Sequence, residues 1–139
     1  MIGPAHNVHK ALQATHTAFH IVYTNLFNGA ERGVYYVRSE DSGASWSIPV
    51  WLDPDIPIDF GPEWPQFTLD EAGHLHAMWQ YVNISPEGSQ GQWVRYTNST
   101  DGGFTWSEPY TIDIADESEG ELRMANPAFV AHEGAVHVI

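Results

Sequence analysis

The chain has 139 residues, 42% of them hydrophobic and 17% charged, which is the composition of a folded domain rather than of a disordered tail. Eighteen acidic residues stand against five basic ones, a formal net charge of −13. So few Lys and Arg argue against a nucleic-acid partner and an anionic membrane surface. Cysteine is absent, which excludes a disulfide framework and a thiolate metal site.

No apolar run approaches the roughly 18 residues of a membrane span, so no membrane insertion is expected. The opening Met1-Ile2-Gly3-Pro4-Ala5-His6 has neither a basic n-region nor an apolar h-region, so no signal peptide is visible. Six Trp, six Tyr and six Phe, with 12 Gly and 9 Pro, suit short strands joined by tight turns.

In chain order, 11–17 is a first strand candidate and 18–23 a clear strand by its β-branched and aromatic content. A polar loop follows over 25–33, then a strand over 33–38, a turn, and a fourth strand over 45–52. The segment 53–64 carries Pro54, Pro57 and Pro62 among Asp53, Asp55, Asp59 and Glu63, and reads as a long connection. The order then recurs: strands over 65–70, 74–82, 92–98 and 105–112, and a second acidic connection over 113–125. Strands over 127–131 and 135–139 begin the order a third time.

The recurrence has sharp anchors. Ser39-Glu40-Asp41-Ser42-Gly43-Ala44-Ser45-Trp46-Ser47 returns as Ser99-Thr100-Asp101-Gly102-Gly103-Phe104-Thr105-Trp106-Ser107, with the aspartates 60 positions apart (41 to 101). Leu75-His76-Ala77-Met78-Trp79 aligns with Phe19-His20-Ile21-Val22-Tyr23, and Pro65-Gln66-Phe67 with Pro127-Ala128-Phe129. A four-stranded antiparallel unit repeating every 50 to 60 residues, roughly, is the pattern of a β-propeller blade. The expected fold is therefore all-β: one partial propeller domain over 1–139. It holds a blade over 11–52, a blade over 65–112, and the first half of a third over 126–139. The last residue falls inside a strand pattern, so a fragment of a longer protein is expected, with exposed strand edges prone to association.

Within each repeated stretch the expected chemistry is structural. An Asp carboxylate accepts nearby backbone N–H groups, Gly takes positive φ, and Trp pins the turn to its sheet. Both stretches resemble the Asp box, Ser/Thr-x-Asp-x-Gly-x-Thr-Trp, of the sialidase-like (neuraminidase, or BNR-repeat) β-propellers. The chain departs from that pattern only at Glu40, where Thr is common, and at Ser45 for Thr. The resemblance implies a six-bladed ring when complete and structural roles for Ser39, Asp41, Gly43, Trp46, Ser99, Asp101, Gly103 and Trp106. It implies secretion or the cell surface, the remaining blades as partners, and a glycan or glycoconjugate as ligand. The implied activity is that of an exo-sialidase or related glycoside hydrolase; the alternative is a non-catalytic module for carbohydrate or protein binding. The isolated fragment is expected to be inactive, because a site at the ring axis draws on several blades.

The resemblance puts function on the face opposite the boxes, on 24–32, 53–64, 82–91 and 113–124. Glycoside hydrolysis commonly uses two carboxyls, and guanidinium forks pair with a substrate carboxylate. Arg123, Glu63 and Asp59 are the catalytic candidates, and Trp64 and Arg32 the substrate-binding ones. The Arg-Ile-Pro motif that opens many sialidases is missing; Arg38 lies in a third strand beside a box, where a structural ion pair suits it, and Arg95 is also in a third strand. Trp51, Trp64, Trp79 and Trp93 are either sugar-stacking platforms or packing between sheets. His20, His76 and His137 share one repeat position, which suits packing or a hydrogen bond. His74 and His76 form a His-x-His without further converging ligands, so neither a metal nor a cofactor is expected.

Overall fold

A computed structural model describes residues 9–25, 32–56, 60–83, 92–112, 128–132 and 135–138. Among them every regular element is a β-strand, and every pairing is antiparallel. The first sheet is ordered β1 (Lys10–Ala14), β2 (Phe19–Asn25), β3 (Gly33–Ser39), β4 (Val50–Trp51). The second is ordered β5 (Phe60–Leu69), β6 (Leu75–Asn83), β7 (Gln92–Ser99), β8 (Tyr110–Ile112). The third pairs β9 (Phe129–His132) with β10 (Ala135–Val138). No helix among the described residues is long and apolar enough to cross a membrane.

Strand alternation sets the core. Successive side chains point to opposite faces, and in β2 His20, Val22 and Thr24 are buried while Phe19 is exposed and Ile21 and Tyr23 are half-buried. Val34, Tyr36 and Leu52 join Val22 on that inner face and pack against Phe67, Leu75, Ala77, Trp79 and Tyr81 of the second sheet. Each fully buried aliphatic side chain there contributes about 1.5–3 kcal/mol. The opening strands meet in series, β1 against β5 and β5 against β9, whereas β4 and β8 make no comparable contact. The sheets are therefore closest along their first strands.

Strand boundaries differ from the sequence expectation at four places; β1 ends at Ala14 rather than at residue 17, because the Thr15 N–H closes a turn onto the Ala18 carbonyl at 2.8 Å. The fourth strands shrink to Val50–Trp51 and Tyr110–Ile112. Residues just before them belong to the turns: the Ser47 and Ser107 N–H groups donate back to the Arg38 and Asn98 carbonyls, both at 2.9 Å. Pro49 and Pro109 then interrupt the ladder, having no N–H to give. Conversely, β5 starts at Phe60, inside the expected connection. Its prolines are tolerated because β5 is an edge strand, bonded on one side only. A bulge between Glu63 and Gln66 absorbs the misfit, and Trp64 sits in it at φ 45°.

Candidate functional site

The two repeated turns are built alike. In the first, the Ser39 hydroxyl donates to Asp41 Oδ1 at 2.7 Å and accepts the Gly43 N–H at 2.8 Å. The Ser45 N–H donates to Asp41 Oδ1 at 2.8 Å and its hydroxyl to Oδ2 at 2.5 Å. In the second, the Ser99 hydroxyl donates to Asp101 Oδ1 at 2.8 Å and accepts Gly103 N–H at 2.9 Å. The Thr105 N–H and hydroxyl reach the same carboxylate at 2.9 and 2.6 Å. Hydrogen bonds to the charged form favour it. The Ser45 hydroxyl, then the other donors, hold Asp41 down at about 2, and the Thr105 hydroxyl leads the set that holds Asp101 at about 2. Carboxyls so fixed are poor general acids near neutral pH. A shallow cleft beside the first turn, lined by Arg38, Glu40, Asp41, Ser45, Trp46 and Ser47, presents the same occupied groups.

Between the sheets the second turn rests on Tyr36. Its hydroxyl lies 2.7 Å from His20 Nδ1 and donates to the Gly102 carbonyl at 3.4 Å, and its ring meets Trp106 edge-on at 4.9 Å. Phe104 of the same turn lies under the Arg38 guanidinium, 3.5 Å from ring centroid to Cζ. Burial, reinforced by Arg38, lowers the His20 pKa and keeps the imidazole neutral. The second sheet repeats the pair: His76 Nδ1 lies 2.6 Å from the Tyr96 hydroxyl, and burial pushes the Tyr96 phenol up to about 12. Histidine recurrence thus corresponds to a His–Tyr pair at two of its three positions, His20 and His76. The matching signal was present in the sequence, since Tyr36 and Tyr96 each stand three positions before the serine that opens a turn.

The expected functional residues that can be placed lie within β5 and just before β3. Trp64 is 38% exposed. Its backbone N–H donates to His9 Nδ1 at 3.3 Å, and its ring stacks on the His9 imidazole at 6.1 Å and 12°. Glu63 is its neighbour in β5, half-buried and paired in register with Gln80. Arg32 is turned to the backbone: its Nη1 donates to the Phe60 carbonyl at 2.9 Å, tying the first sheet to β5. Arg123 and Asp59 lie outside the described residues.

The remaining tryptophans divide. Trp79 is fully buried, and Trp93 packs on Phe60 at 4.3 Å. Trp51 lies across Gly33, where a Cβ would fall 2.1 Å from its indole Nε1, and stacks on Tyr35 at 5.7 Å.

Asp53 departs most from expectation. Instead of a solvated loop acid it is 2% exposed. It accepts the Tyr81 hydroxyl at 2.7 Å and Arg95 Nε at 3.0 Å, so a carboxylate following β4 clasps two side chains of the second sheet. Arg95 is thereby a structural cation, and Arg38 pairs with Glu40 at 3.2 Å. His74 binds Asp70 Oδ2 through Nδ1 at 2.8 Å, with His76 Nε2 at 3.5 Å. Among the described residues no three potential ligands converge to hold a metal ion.

The site assembled by the described residues is therefore a partly exposed indole at a positive φ with a histidine stacked on it, and Glu63 precedes it in the chain. No protein-family model matches the chain, and no curated protein is significantly similar to it.

Proposed function

We propose that this chain is part of a sialidase-like Asp-box β-propeller that acts on glycans, as an exo-sialidase or related glycoside hydrolase when the propeller is complete. The supporting fold features are the two equivalent four-stranded sheets, their identically bonded turns, and the serial contact of their opening strands. In a propeller those strands surround the axis, and the turns lie on the far rim.

The observation that carries the functional reading is Trp64. It leaves φ 45°, an unfavourable backbone for a bulky side chain, in place on an opening strand and keeps its ring partly open to solvent. A flat indole face suits a sugar ring, with C–H groups on one surface and hydroxyls at the rim. Glu63, next in the chain, is the carboxyl nearest in sequence to that platform.

A second reading is a non-catalytic glycan-binding module. It is favoured by the engagement of the described arginines. Arg32 is bonded to a backbone carbonyl, Arg38 to Glu40 and Arg95 to Asp53, which leaves the recognition of a substrate carboxylate to other residues. A released-sugar assay with a sialoside on the full-length protein separates the two. Turnover that falls at least tenfold in Glu63→Gln supports the enzyme. Glycan binding that needs Trp64, with no turnover, supports the module, and neither binding nor turnover overturns both.

A further inference from the structure

Side chains from the first sheet and its flanks bond to the backbone of β5. Arg32 Nη1 donates to the Phe60 carbonyl at 2.9 Å, and Gln13 Nε2 donates to the Phe67 carbonyl at 2.9 Å. Between those two points His9 does the reverse: its Nδ1 accepts the Trp64 backbone N–H at 3.3 Å.

The bulge creates the need for an acceptor there. Glu63 pairs with Gln80 and Gln66 with Met78, so Trp64 and Pro65 have no register partner in β6. A bulged residue is left out of the ladder. Proline has no N–H, so the donor that the bulge strands is that of Trp64. To accept it, the His9 imidazole carries its own proton on Nε2.

His9 is itself fixed by the first sheet. Its carbonyl accepts the Thr24 N–H at 2.9 Å, its N–H donates to Thr24 Oγ1 at 3.3 Å, and Thr24 is fully buried in β2. The His9 ring lies nearly parallel to the indole, at 12° and 6.1 Å. It therefore covers one face of Trp64, a side chain that remains 38% exposed.

We propose that His9 is the positioning residue of the Trp64 platform. Its Nδ1 holds the bulge backbone at positive φ, and its ring backs the indole, so that a sugar stacks on the face turned away from it. The site is thereby composite: the first sheet sets the orientation, and the second supplies the contact surface. The ligand in this proposal rests on the glycan reading of Trp64; the positioning does not.

Three readings of the full-length protein test it: exchange of the Trp64 amide proton, the Trp64 indole N–H resonance, and affinity for a sialylated trisaccharide. His9→Phe keeps a flat ring but removes the acceptor. The Trp64 amide is expected to exchange about tenfold faster, the indole resonance to move, and the glycan to bind about tenfold more weakly. In His9→Asn, Oδ1 stands where Nδ1 stood, and amide protection and affinity are expected to return to within about threefold of the wild type. Gln13→Ala removes a cross-sheet bond at Phe67 rather than at Trp64, and is expected to change none of the three. If His9→Phe does not fold by circular dichroism, His9→Ala replaces it. A Trp64 amide as well protected in His9→Phe as in the wild type overturns the proposal, even where the glycan binds. So does an effect of Gln13→Ala equal to that of His9→Phe. Loss of amide protection in His9→Phe and its return in His9→Asn, in a protein that binds no glycan, upholds the positioning role and overturns the glycan reading instead.

Discussion

The Tyr36 hydroxyl occupies the space a side chain on Gly103 would need: a Cβ there would fall 2.0 Å from it. One residue of the first sheet thus dictates glycine in a turn of the second, 66 to 67 positions further along the chain (36 to 102 and 103). Gly103→Ala meets two penalties, a φ of 90° that an L side chain resists and a collision with a buried tyrosine. We expect a loss of about 3 kcal/mol in denaturant unfolding. Gly43→Ala, at the same φ but with open space around it, meets only the first, about 1 kcal/mol. Equal losses at the two sites would mean that Tyr36 does not set the requirement.

Acidification should weaken the fold in two stages. His20 has a folded pKa below its usual 6.5, so its contribution is complete above pH 6.5 and fades as pH falls through the lower folded value. Asp41 and Asp101, held at about 2 by hydroxyl and N–H donors, contribute fully above their usual 3.8 and lose that contribution as pH falls toward 2. Urea midpoints measured from pH 7 to pH 2 should fall in both windows. In an Asp41→Asn, Asp101→Asn chain the lower step should flatten while the upper one persists. An unchanged lower step would place the acid-sensitive groups elsewhere.

Asp53 ties the sheets together through Tyr81 and Arg95, and both partners lose their acceptor if it is removed. Asp53→Asn is expected to cost about 2–4 kcal/mol, toward the lower side for a buried pair because Arg95 keeps some solvent contact. Arg95→Met should cost less than the sum predicts when combined with Asp53→Leu, with a coupling of about 1–3 kcal/mol. A change in Asp53→Asn stability within about 0.5 kcal/mol would show that the clasp is incidental.

Strands with period-two alternation and Gly-punctuated turns could be read from the chain, because those features are local. β2, β3, β6 and β7 fall within a residue or two of where their aromatic and β-branched runs put them. The opening of β5 was not legible. Prolines signal a loop unless the strand is known to lie at a sheet edge, and that is a property of the assembled sheet. Asp53 was illegible for a similar reason: it resembles its acidic neighbours, and its partners stand 28 and 42 positions away. At the candidate site, the sequence singled out Trp64 and Glu63, but not His9 or the bulge that holds the indole out. The backbone carbonyl that engages Arg32 carries no sequence signal at all.

The functional account rests on Trp64 facing a glycan from the bulge within β5. Its most direct test follows the indole N–H resonances of Trp64, Trp46 and Trp106 while the full-length protein is titrated with a sialylated trisaccharide. The Trp64 signal should shift and saturate, Trp46 and Trp106 on the turns should stay still, and Trp64→Ala should abolish binding with an unchanged far-ultraviolet spectrum. No shift at Trp64, or shifts confined to Trp46 and Trp106, would contradict the account.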